Sequence, residues 1–340
     1  MGIVRGEELT YTKLQQLDFS RTLCLQSVSA LEVHGPHLPL GMDLFMARWM
    51  AEEAGRRFAE AHPDWTVVLQ PHLPVGTDEL PLPGSMRVGP TTFYRLLRDH
   101  ARSLVEAGYR YIVLTNGHGG PRHAAAIEHV CRAISKRYRV AMFSPSIVAL
   151  HRIITGERFA EVEGLLGRAL TGEEKAGLLA GEHAGGWETA FQLAADGRSV
   201  EPFWSQLQRD EPPKWRPLVR LGEWWIAREQ RRGRTATKIR ELTDGLAGGI
   251  GWLLNAQYGY GGPPVSYKGT PAVASEELGR AFREIMVRDC LELIEEVTSG
   301  RRPAESVRSL ASDHAPIQPL FFRRLGLAAV AIVAGLVWLW

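Results

Sequence analysis

Residues 22–29 read Thr-Leu-Cys-Leu-Gln-Ser-Val-Ser, and this short, largely apolar run is typical of a buried strand. A loop with two glycines and two prolines follows it, and a helix is predicted from Asp43 to about Ala61. The inward stripe of this helix consists of Ala47, Met50, Ala54 and Phe58. The stretch therefore predicts a strand, a loop and a helix in that order.

The same alternation of strand and helix continues along the chain. Further strands are predicted at residues 66–70, 111–115 and 140–143, and helices at about 89–107 and 121–137. The helix that begins near residue 89 has one apolar face, made of Phe93, Leu96, Leu97, Leu104 and Val105. Strands that alternate with helices pair in parallel, because each crossover returns the chain to the same end of the sheet. The pattern predicts an α/β protein, a three-layer α/β/α sandwich with a mostly parallel central sheet, plus a C-terminal apolar helix.

Composition limits the classes of function. The chain has 340 residues, of which 45% are hydrophobic, enough to bury a large core. Its 40 basic and 38 acidic residues leave a net charge of +2, so no overall field favours nucleic acid. The three cysteines are far apart, which favours a reducing compartment over a disulfide framework. Since residues 1–8 show no secretory signal, these features predict a cytoplasmic location.

The loop after the first predicted strand carries metal-binding chemistry. Glu32, His34, His37 and Asp43 place two carboxylates and two imidazoles within twelve residues. Oxygen and imidazole ligands without thiolate suit zinc, manganese or iron(II), and a carboxylate can bridge two such ions. The loop therefore predicts a site for divalent metal.

Two later clusters carry the same residue types. His118 lies in a glycine-rich turn after the third predicted strand, and His183 precedes a predicted helix that carries Glu188. In parallel sheets ligands bind beyond the carboxyl ends of the strands, so His118 is expected to meet Glu32 and His34 there. The other histidines that we expect on helix surfaces or strand ends, without a role, are His72, His100, His123, His129 and His151.

Taken together, these blocks resemble the creatininase family of amidohydrolases. The resemblance rests on residues 32–39 with Asp43, on Asn-Gly-His-Gly-Gly at residues 116–120, and on residues 183–185 followed by Glu188. The blocks occur in the family's order over about residues 20–300. The chain departs from the family at Met42, where a threonine is frequent, and at residues 77–85, where the usual histidine is missing.

The resemblance implies two divalent metal ions per chain, with zinc as the first choice and manganese or iron(II) as alternatives. The implied ligands are Glu32, Asp43 and His118 on one ion, and His34 with the bridging Asp43 on the other. Creatininase itself has a glutamate at the position of Gly120, so we expect Glu188 to complete the second set. The alternative for Glu188 is a buried helix carboxylate bonded to the backbone near Gly120.

The resemblance also implies the catalytic groups and their surroundings. His183 is expected to transfer protons, with Glu188 beside it in the catalytic site. His37 is expected to orient a ligating carboxylate or to contact substrate, the alternative being a structural hydrogen bond. The further residues expected around the ligands or the substrate are Glu79, Asn116, Gly119, Gly120 and Trp187.

The implied reaction is hydrolysis of a carbon–nitrogen bond in an amide, a cyclic amide or a formamide, by hydroxide activated at a two-metal site. The absence of a glutamate at Gly120 argues against creatinine as the substrate. Two alternatives stay open. One is metallopeptidase-like processing of a short peptide or cofactor precursor, and the other is a membrane-tethered, non-catalytic binding or scaffold protein with the same fold.

Domain boundaries follow from composition. Residues 1–310 are predicted to form the catalytic domain, with insertions at about 154–182 and 199–245, and residues 311–324 form a linker. Residues 325–340 contain no charged residue and end in two tryptophans within three positions, which predicts a membrane anchor on the cytoplasmic face. The alternative is a helix packed against protein.

A basic run in the second insertion has two interpretations. It consists of Arg228, Arg231, Arg232 and Arg234 and lies beside Trp224 and Trp225. This composition suits a face close to a membrane, and it suits an ordinary solvated helix equally well. The expected partners are a small amide or short peptide-like substrate, a membrane reached through the tail, and further copies of the chain in a homo-oligomer, but not nucleic acid.

Overall fold

The structure, a computed structural model, describes residues 2–179, 182–210, 213–232 and 235–309. Within these residues one parallel sheet is formed by β1 (Ile3–Arg5), β2 (Thr22–Ser27), β3 (Thr66–Leu69), β4 (Tyr111–Thr115) and β5 (Ala141–Phe143). The strands lie in the order β1-β3-β2-β4-β5. At the centre, Cys24 pairs with Val68 on one side and with Ile112 on the other. The parallel α/β arrangement predicted from the sequence is confirmed.

The α-helices of the described residues follow the strands in alternation and then form a longer helical half. They are α1 (Tyr11–Gln15), α2 (Met42–Ala61), α3 (Pro90–Glu106), α4 (Pro121–Tyr138), α5 (Pro145–Ile154), α6 (Phe159–Leu166), α7 (Gly172–Leu179), α8 (Gly186–Asp196), α9 (Arg216–Arg231), α10 (Thr237–Tyr258) and α11 (Glu276–Thr298). The three predicted helices that follow strands correspond to α2, α3 and α4.

Both faces of the sheet are covered, which gives the three predicted layers. Leu23 and Leu25 of β2 pack with Phe58 of α2 and Val287 of α11. The intervening Cys24 packs on the opposite side with α3 and α4. Alternate side chains of a strand point to opposite faces, so a strand that is buried throughout needs a helical layer on each side.

Two details of the sequence-based prediction were wrong. β1 was missed because it has three residues with only one of them partly buried, which leaves no alternating pattern to detect. Leu96 was assigned to the buried face of α3, yet it is 41% exposed. The buried stripe of α3 follows Phe93, Leu97 and Leu104, and Leu96 falls at the flank of that stripe.

The segments predicted as insertions contain ordered helices. Residues 154–182 include α6 and α7, and Val162 and Leu170 are buried in the same core as Phe282 of α11. Residues 199–245 include α9 and the first part of α10, and these two helices pack against each other. The first segment is therefore part of the core, whereas the second forms a helical hairpin.

The predicted linker at 311–324 and the predicted apolar helix at 325–340 lie outside the described residues, as does Arg234. Among the helices that the structure does describe, none is both long and apolar enough to cross a bilayer.

The strand order places a crevice at the carboxyl end of the sheet. From the central strand β2 the chain moves to β3 on one side and, later, to β4 on the other. Loops that leave β2 and β4 therefore diverge and leave a space between them, where ligands bind in sheets of this kind. The loop after β2 carries Glu32 and His34, and the loop after β4 carries His118.

Candidate metal centre

Five predicted ligands converge in this crevice. Glu32, Asp43 and His118 form one group of potential ligand atoms, and His34, Asp43 and Glu188 form a second, with the atoms of each group within 4.8 Å of one another. All five side chains are buried. Asp43 belongs to both groups because it lies in the first turn of α2, directly opposite the two loops.

In the first group, which consists of Glu32, Asp43 and His118, backbone groups of a neighbouring loop hold His118 and Glu32 in place. His118 Nδ1 lies 3.0 Å from Glu32 Oε2 and 3.0 Å from Asp43 Oδ2. The other ring nitrogen, Nε2, donates to the Thr77 carbonyl at 3.1 Å. Glu32 Oε1 accepts from the Leu80 backbone N–H at 2.5 Å. These bonds leave His118 Nδ1 and one oxygen from each carboxylate for a ligand at the centre.

The second group, His34, Asp43 and Glu188, uses the other oxygen of Asp43. His34 Nε2 lies 3.1 Å from Asp43 Oδ1 and 3.7 Å from Glu188 Oε2. His34 Nδ1 donates to the Glu32 carbonyl at 3.0 Å, which leaves Nε2 free to bind a cation. Asp43 thus offers Oδ2 to the first group and Oδ1 to the second.

Unpaired oxygens at the centre fit a cation. Glu32 Oε2 and Asp43 Oδ2 are buried and make no hydrogen bond of good geometry in the described part of the chain, although His118 Nδ1 lies 3.0 Å from each. Burying carboxylate oxygens without donors is costly unless a positive charge is present. The donors are carboxylate oxygens and imidazole nitrogens, a set that suits zinc, manganese or iron(II). The residues present therefore fit divalent metal.

Charge coupling at the site supports the same conclusion. Burial by itself lowers the pKa of His34, but the carboxylates of Asp43 and Glu188 outweigh burial and raise that pKa to about 10. Burial likewise opposes the rise in the pKa of His118, which the carboxylates of Glu32 and Asp43 bring well above its usual range. The carboxylates thus favour a positive charge between them. In the metal-free chain that charge is a proton on a histidine, and a bound metal ion would take its place.

The turn that carries His118 is shaped by its neighbours. Asn116 Oδ1 accepts from the His118 N–H at 2.9 Å, and Asn116 Nδ2 donates to the His118 carbonyl at 2.7 Å. A Cβ on Gly117 would lie 2.4 Å from the Asp43 carbonyl oxygen, and one on Gly120 would lie 2.4 Å from His118 Nε2. This backbone has no room for a side chain at Gly120, so no carboxylate can reach the site from that position.

The Glu188 carboxylate lies beside His34 and Asp43 and comes from the start of α8. Its Oε2 accepts from the Ala184 N–H at 2.6 Å, in addition to its approach to His34. The predicted placement of His183 just before the helix and Glu188 in its first turn agrees with the structure. The backbone bond expected as the alternative therefore exists, but its donor is Ala184 beside the site.

Two supporting residues were not found from the sequence. Glu182 Oε1 accepts from the backbone N–H groups of Trp187 and Glu188, so the Glu182 side chain caps α8 in place of Gly185, which has no side chain to do so. His123 was expected on a helix surface, but it is fully buried. Its Nδ1 accepts from the Thr77 N–H at 3.3 Å, and its Nε2 donates to Asn116 Oδ1 at 3.0 Å.

A signal for each of these residues existed in the sequence. Glu182 directly precedes His183 and lies four residues before the start of α8, and a carboxyl group is favoured near the N-terminus of a helix. His123 lies five residues after His118 on the first turn of α4, where its ring faces back towards the turn. Neither signal is specific enough without the contacts.

With this geometry established, comparison with known proteins identifies the relatives. The family model for creatininase, described as creatinine amidohydrolase, matches residues 7–294. The chain belongs to the creatininase family. Members of that family are metal-dependent amidohydrolases, so this protein is an enzyme of that class, as its sequence predicted.

Solved creatininase-family structures share the fold. A creatinine amidohydrolase from Bacteroides fragilis NCTC 9343 superposes with a TM-score of 0.55 at 18% identity, covering 87% of this chain and 96% of the other. A manganese form of creatininase superposes with a TM-score of 0.54 at 17% identity, covering 86% and 98%. At such low identity these likenesses establish the fold of this creatininase-family chain and nothing finer.

One curated relative is more similar over a shorter stretch. The mycofactocin precursor peptide peptidase of Mycolicibacterium smegmatis is 33% identical over 114 residues, which are 33% of this chain and 45% of that protein. The match spans less than half of the relative's length, so it does not by itself assign a substrate to this family member.

His183 lies next to the candidate ligands of this creatininase-family chain. It forms a further group with Glu32 and His34 whose potential ligand atoms lie within 4.8 Å of one another. The ring of His183 is 4.4 Å from that of His34, and its Nε2 donates to the Val33 carbonyl at 2.8 Å. On its other side, Trp252 of α10 contacts the ring at 5.4 Å.

The remaining predicted residues differ in how close they come to the ligands. His37 is buried and hydrogen bonds through Nε2 to Thr189 Oγ1 at 2.8 Å, so its observed contact is with the neighbour of Glu188 and not with a ligating carboxylate. Burial lowers the pKa of His37 to about 4. Trp187 packs in the core against Phe191 and Phe282.

Glu79 and Gly119 complete the predicted set. Burial raises the pKa of Glu79 to about 7, and its Oε1 has no hydrogen-bond partner in the described residues. The next residue, Leu80, donates its backbone N–H to Glu32, so Glu79 lies in the loop that borders the first ligand group. Gly119 is exposed and forms the outer edge of the turn, with room for a substrate to approach.

Proposed function

We propose that this protein hydrolyses an amide carbon–nitrogen bond at a centre that binds two divalent metal ions. The observation that carries the proposal is the position of Asp43. Its two carboxylate oxygens belong to two different buried ligand groups, with His118 at 3.0 Å on one side and His34 at 3.1 Å on the other. A carboxylate placed in this way is suited to bridging two ions.

Five side chains would hold the two ions. Glu32 and His118 would hold one ion and His34 and Glu188 the other, with Asp43 shared. When bound, the ions supply Lewis acidity, which lowers the pKa of water and polarises a carbonyl group. Because the side chains of Glu32, His34 and His118 are buried and each hydrogen bonds to a backbone group, they keep a fixed arrangement that needs little reorganisation when substrate binds.

His183 is the proposed proton-transfer group. Its Nε2–H is held by the Val33 carbonyl, which fixes the ring and leaves Nδ1 as the exchanging nitrogen. A nitrogen leaving group must be protonated as the carbon–nitrogen bond breaks, and an imidazole beside the ligands is suited to that step. His37 is a poor candidate, because its lowered pKa keeps it neutral near pH 7.

A peptide-like amide is the second, narrower candidate for the substrate. The observation that favours it is the 33% identity, over 114 residues, to a mycofactocin precursor peptide peptidase. The absence of a side chain at Gly120 also distinguishes this site from the creatininase pattern. We therefore rank short peptides and linear amides ahead of creatinine.

Metal analysis tests the two-metal centre. The purified chain, loaded with zinc, manganese or iron(II) and freed of excess metal, is expected to contain about two ions per chain. Asp43→Ala should lose both ions and lower kcat/KM by at least about 10³-fold, because metal activation contributes several kcal/mol to transition-state stabilisation. The matched control is Asp99→Ala, since Asp99 is an exposed carboxylate on α3.

Substrate assays test the reaction. Creatinine, formamides, linear amides and short peptides would be tested with each metal. A wild-type chain that binds no metal and stays inactive with all of them would contradict the enzyme proposal and favour the non-catalytic alternative. Two bound ions with activity on creatinine alone would contradict the substrate ranking and leave the metal centre intact.

The remaining expectations form part of the same proposal. We propose one catalytic domain at about residues 1–310, a cytoplasmic location and assembly into a homo-oligomer. Light scattering of the purified chain measures the last of these, and limited proteolysis checks the boundary near residue 310.

A further inference from the structure

Helix α9 exposes large apolar side chains to solvent. Leu221, Trp224 and Trp225 are 53%, 55% and 43% exposed. The opposite side of the helix is buried through Gly222 and Ile226 and packs against α10. Two neighbouring exposed tryptophans on one helix form an apolar patch of the kind that marks a binding surface. We call the exposed side of residues 217–228 the α9 face.

Basic residues are concentrated along the sequence of α9 and its ends, among them Lys214, which pairs with Asp244, and Arg232, which pairs with Glu229. Residues 213–232 contain six basic and two acidic residues, a net charge of +4, whereas the whole chain has a net charge of +2. This segment alone is therefore more positive than the entire protein. The basic residues are Lys214, Arg216, Arg220, Arg228, Arg231 and Arg232. The guanidinium of Arg228 lies 5.6 Å from the centre of the Trp224 ring, so charge and aromatic surface are adjacent.

We propose that the α9 face docks on the surface of a bilayer containing anionic lipids. Tryptophan side chains partition to the boundary between headgroups and hydrocarbon, because they combine a large apolar ring with a polar N–H. Arginines beside them are attracted by anionic headgroups. A helix with an aromatic stripe and a basic rim lies in the plane of the membrane and does not cross it.

The sequence beyond the described residues favours a membrane over a second copy of the chain. The family match ends at residue 294, so residues 325–340, which contain no charged residue, are additional to the family domain. Arg323 and Arg324 precede this run. Stable membrane attachment generally needs two signals, and an apolar segment together with a basic aromatic face supplies two. This argument does not depend on the proposed reaction.

A fluorescent label on the α9 face tests the proposal in the full chain. Leu221→Cys would carry an environment-sensitive dye, and the native Cys24, Cys131 and Cys290 are buried. With vesicles of phosphatidylcholine and phosphatidylglycerol, we expect a blue shift and at least about a twofold rise in emission. The same dye on Tyr11→Cys, whose native side chain is 74% exposed on α1, should not respond.

Charge reversal separates the electrostatic contribution from attachment by the tail. In the labelled chain, Arg220→Glu with Arg228→Glu should weaken binding to anionic vesicles. The lipid concentration at half-maximal fluorescence change should rise by about tenfold or more. Arg98→Glu with Arg102→Glu, which reverses two exposed charges on α3, is the matched control and should leave the response unchanged. All four residues are exposed, so unfolding should be unaffected.

Three results would overturn the proposal. One is vesicle binding without any response at position 221, which would mean that the tail alone attaches the chain. Another is an equal response to vesicles of phosphatidylcholine alone. The third is a response without vesicles that rises with protein concentration, together with a lower molar mass of Trp224→Ala/Trp225→Ala, which would identify the α9 face as an interface between copies.

Discussion

The two ligand groups share Asp43 but are built differently. In the first group, His118 and Glu32 are each held by a backbone partner in the loop after β3, at Thr77 and Leu80. In the second group, Glu188 comes from α8, and its Oε2 already accepts from Ala184 while lying 3.7 Å from His34. The first group is thus fixed by the loops at the end of the sheet, and the second depends on the turn at residues 182–188.

This difference predicts unequal metal binding. Ligands that are already held in place need little reordering when an ion binds, whereas Glu188 must keep or exchange its bond to Ala184. Ala184 has a positive φ of 49°, a strained conformation for a residue with a side chain, so the turn is maintained by its surroundings. We therefore expect the first group to bind its ion more tightly than the second.

Removing His118 should have the largest effect on this comparison. His118→Ala removes the nitrogen ligand of the first group, which we expect to bind its ion more tightly. We therefore expect loss of that ion and a fall in kcat/KM of at least about 10³-fold. Metal content after dialysis measures the first effect. His151→Ala, on α5, is the control, and a His118→Ala chain that kept two ions would contradict the assignment.

Removing Glu188 should have a smaller and selective effect. Glu188→Ala is expected to leave about one tightly held ion per chain and to lower kcat/KM by roughly 10²-fold, because the first group stays complete. Titration of the metal-free chain by calorimetry would show one strong binding event where the wild type shows two. Glu106→Ala, an exposed glutamate on α3, is the matched control. Loss of both ions would mean that the two groups are not independent.

Changing Glu182 should weaken the second group without removing a ligand. Glu182→Ala leaves the N–H groups of Trp187 and Glu188 without an acceptor, so we expect a metal dissociation constant about 10- to 100-fold higher at the second group only. Burial raises the pKa of Glu182 to about 8, so the carboxyl is largely neutral at pH 7.

Because the Glu182 carboxyl is largely neutral, Glu182→Gln separates the effect of its hydrogen bonds from the effect of its charge. An amide oxygen accepts the same hydrogen bonds, so Glu182→Gln should recover most of the metal affinity that Glu182→Ala loses. If glutamine were as harmful as alanine, the negative charge of Glu182 would matter and the capping explanation would be wrong.

The smallest expected effect is on stability and concerns the support of the first group. Burial, with a further contribution from His118, lowers the pKa of His123 well below 6.5. Below pH 6.5 the unfolded chain binds a proton that the folded chain excludes, so the contribution of His123 is complete above pH 6.5 and decreases as the pH falls.

Urea unfolding of the metal-free chain measures this dependence. Between pH 7 and pH 5 the wild type should lose more unfolding free energy than His123→Gln, which has no titrating group at that position. Equal losses in the two proteins would show that His123 is not neutral in the folded state. The control is His62→Gln, since His62 is partly exposed and directly follows the C-terminal end of α2.

Much of this protein was determined by local sequence. The apolar runs at β2, β3 and β4 and the helices between them predict a parallel sheet, because this alternation leaves few other ways to pair the strands. Parallel pairing brings all strand ends to one edge, so His118 could be placed with Glu32 and His34 from their positions after strands. The glycine at 120 pointed to Glu188 as the replacement ligand.

The resemblance implied the division of these residues into two groups, but only the tertiary structure decided which of their atoms meet. The choice of Asp43 oxygen, the capping by Glu182 and the burial of His123 depend on contacts between distant parts of the chain, such as the bond between His183 and Val33, 150 residues apart. The exposure of Trp224 on α9 is also a result of packing, since an apolar residue in a helix is equally consistent with a buried side. Local pattern fixes which chemistry a segment carries, and long-range packing fixes which atoms meet.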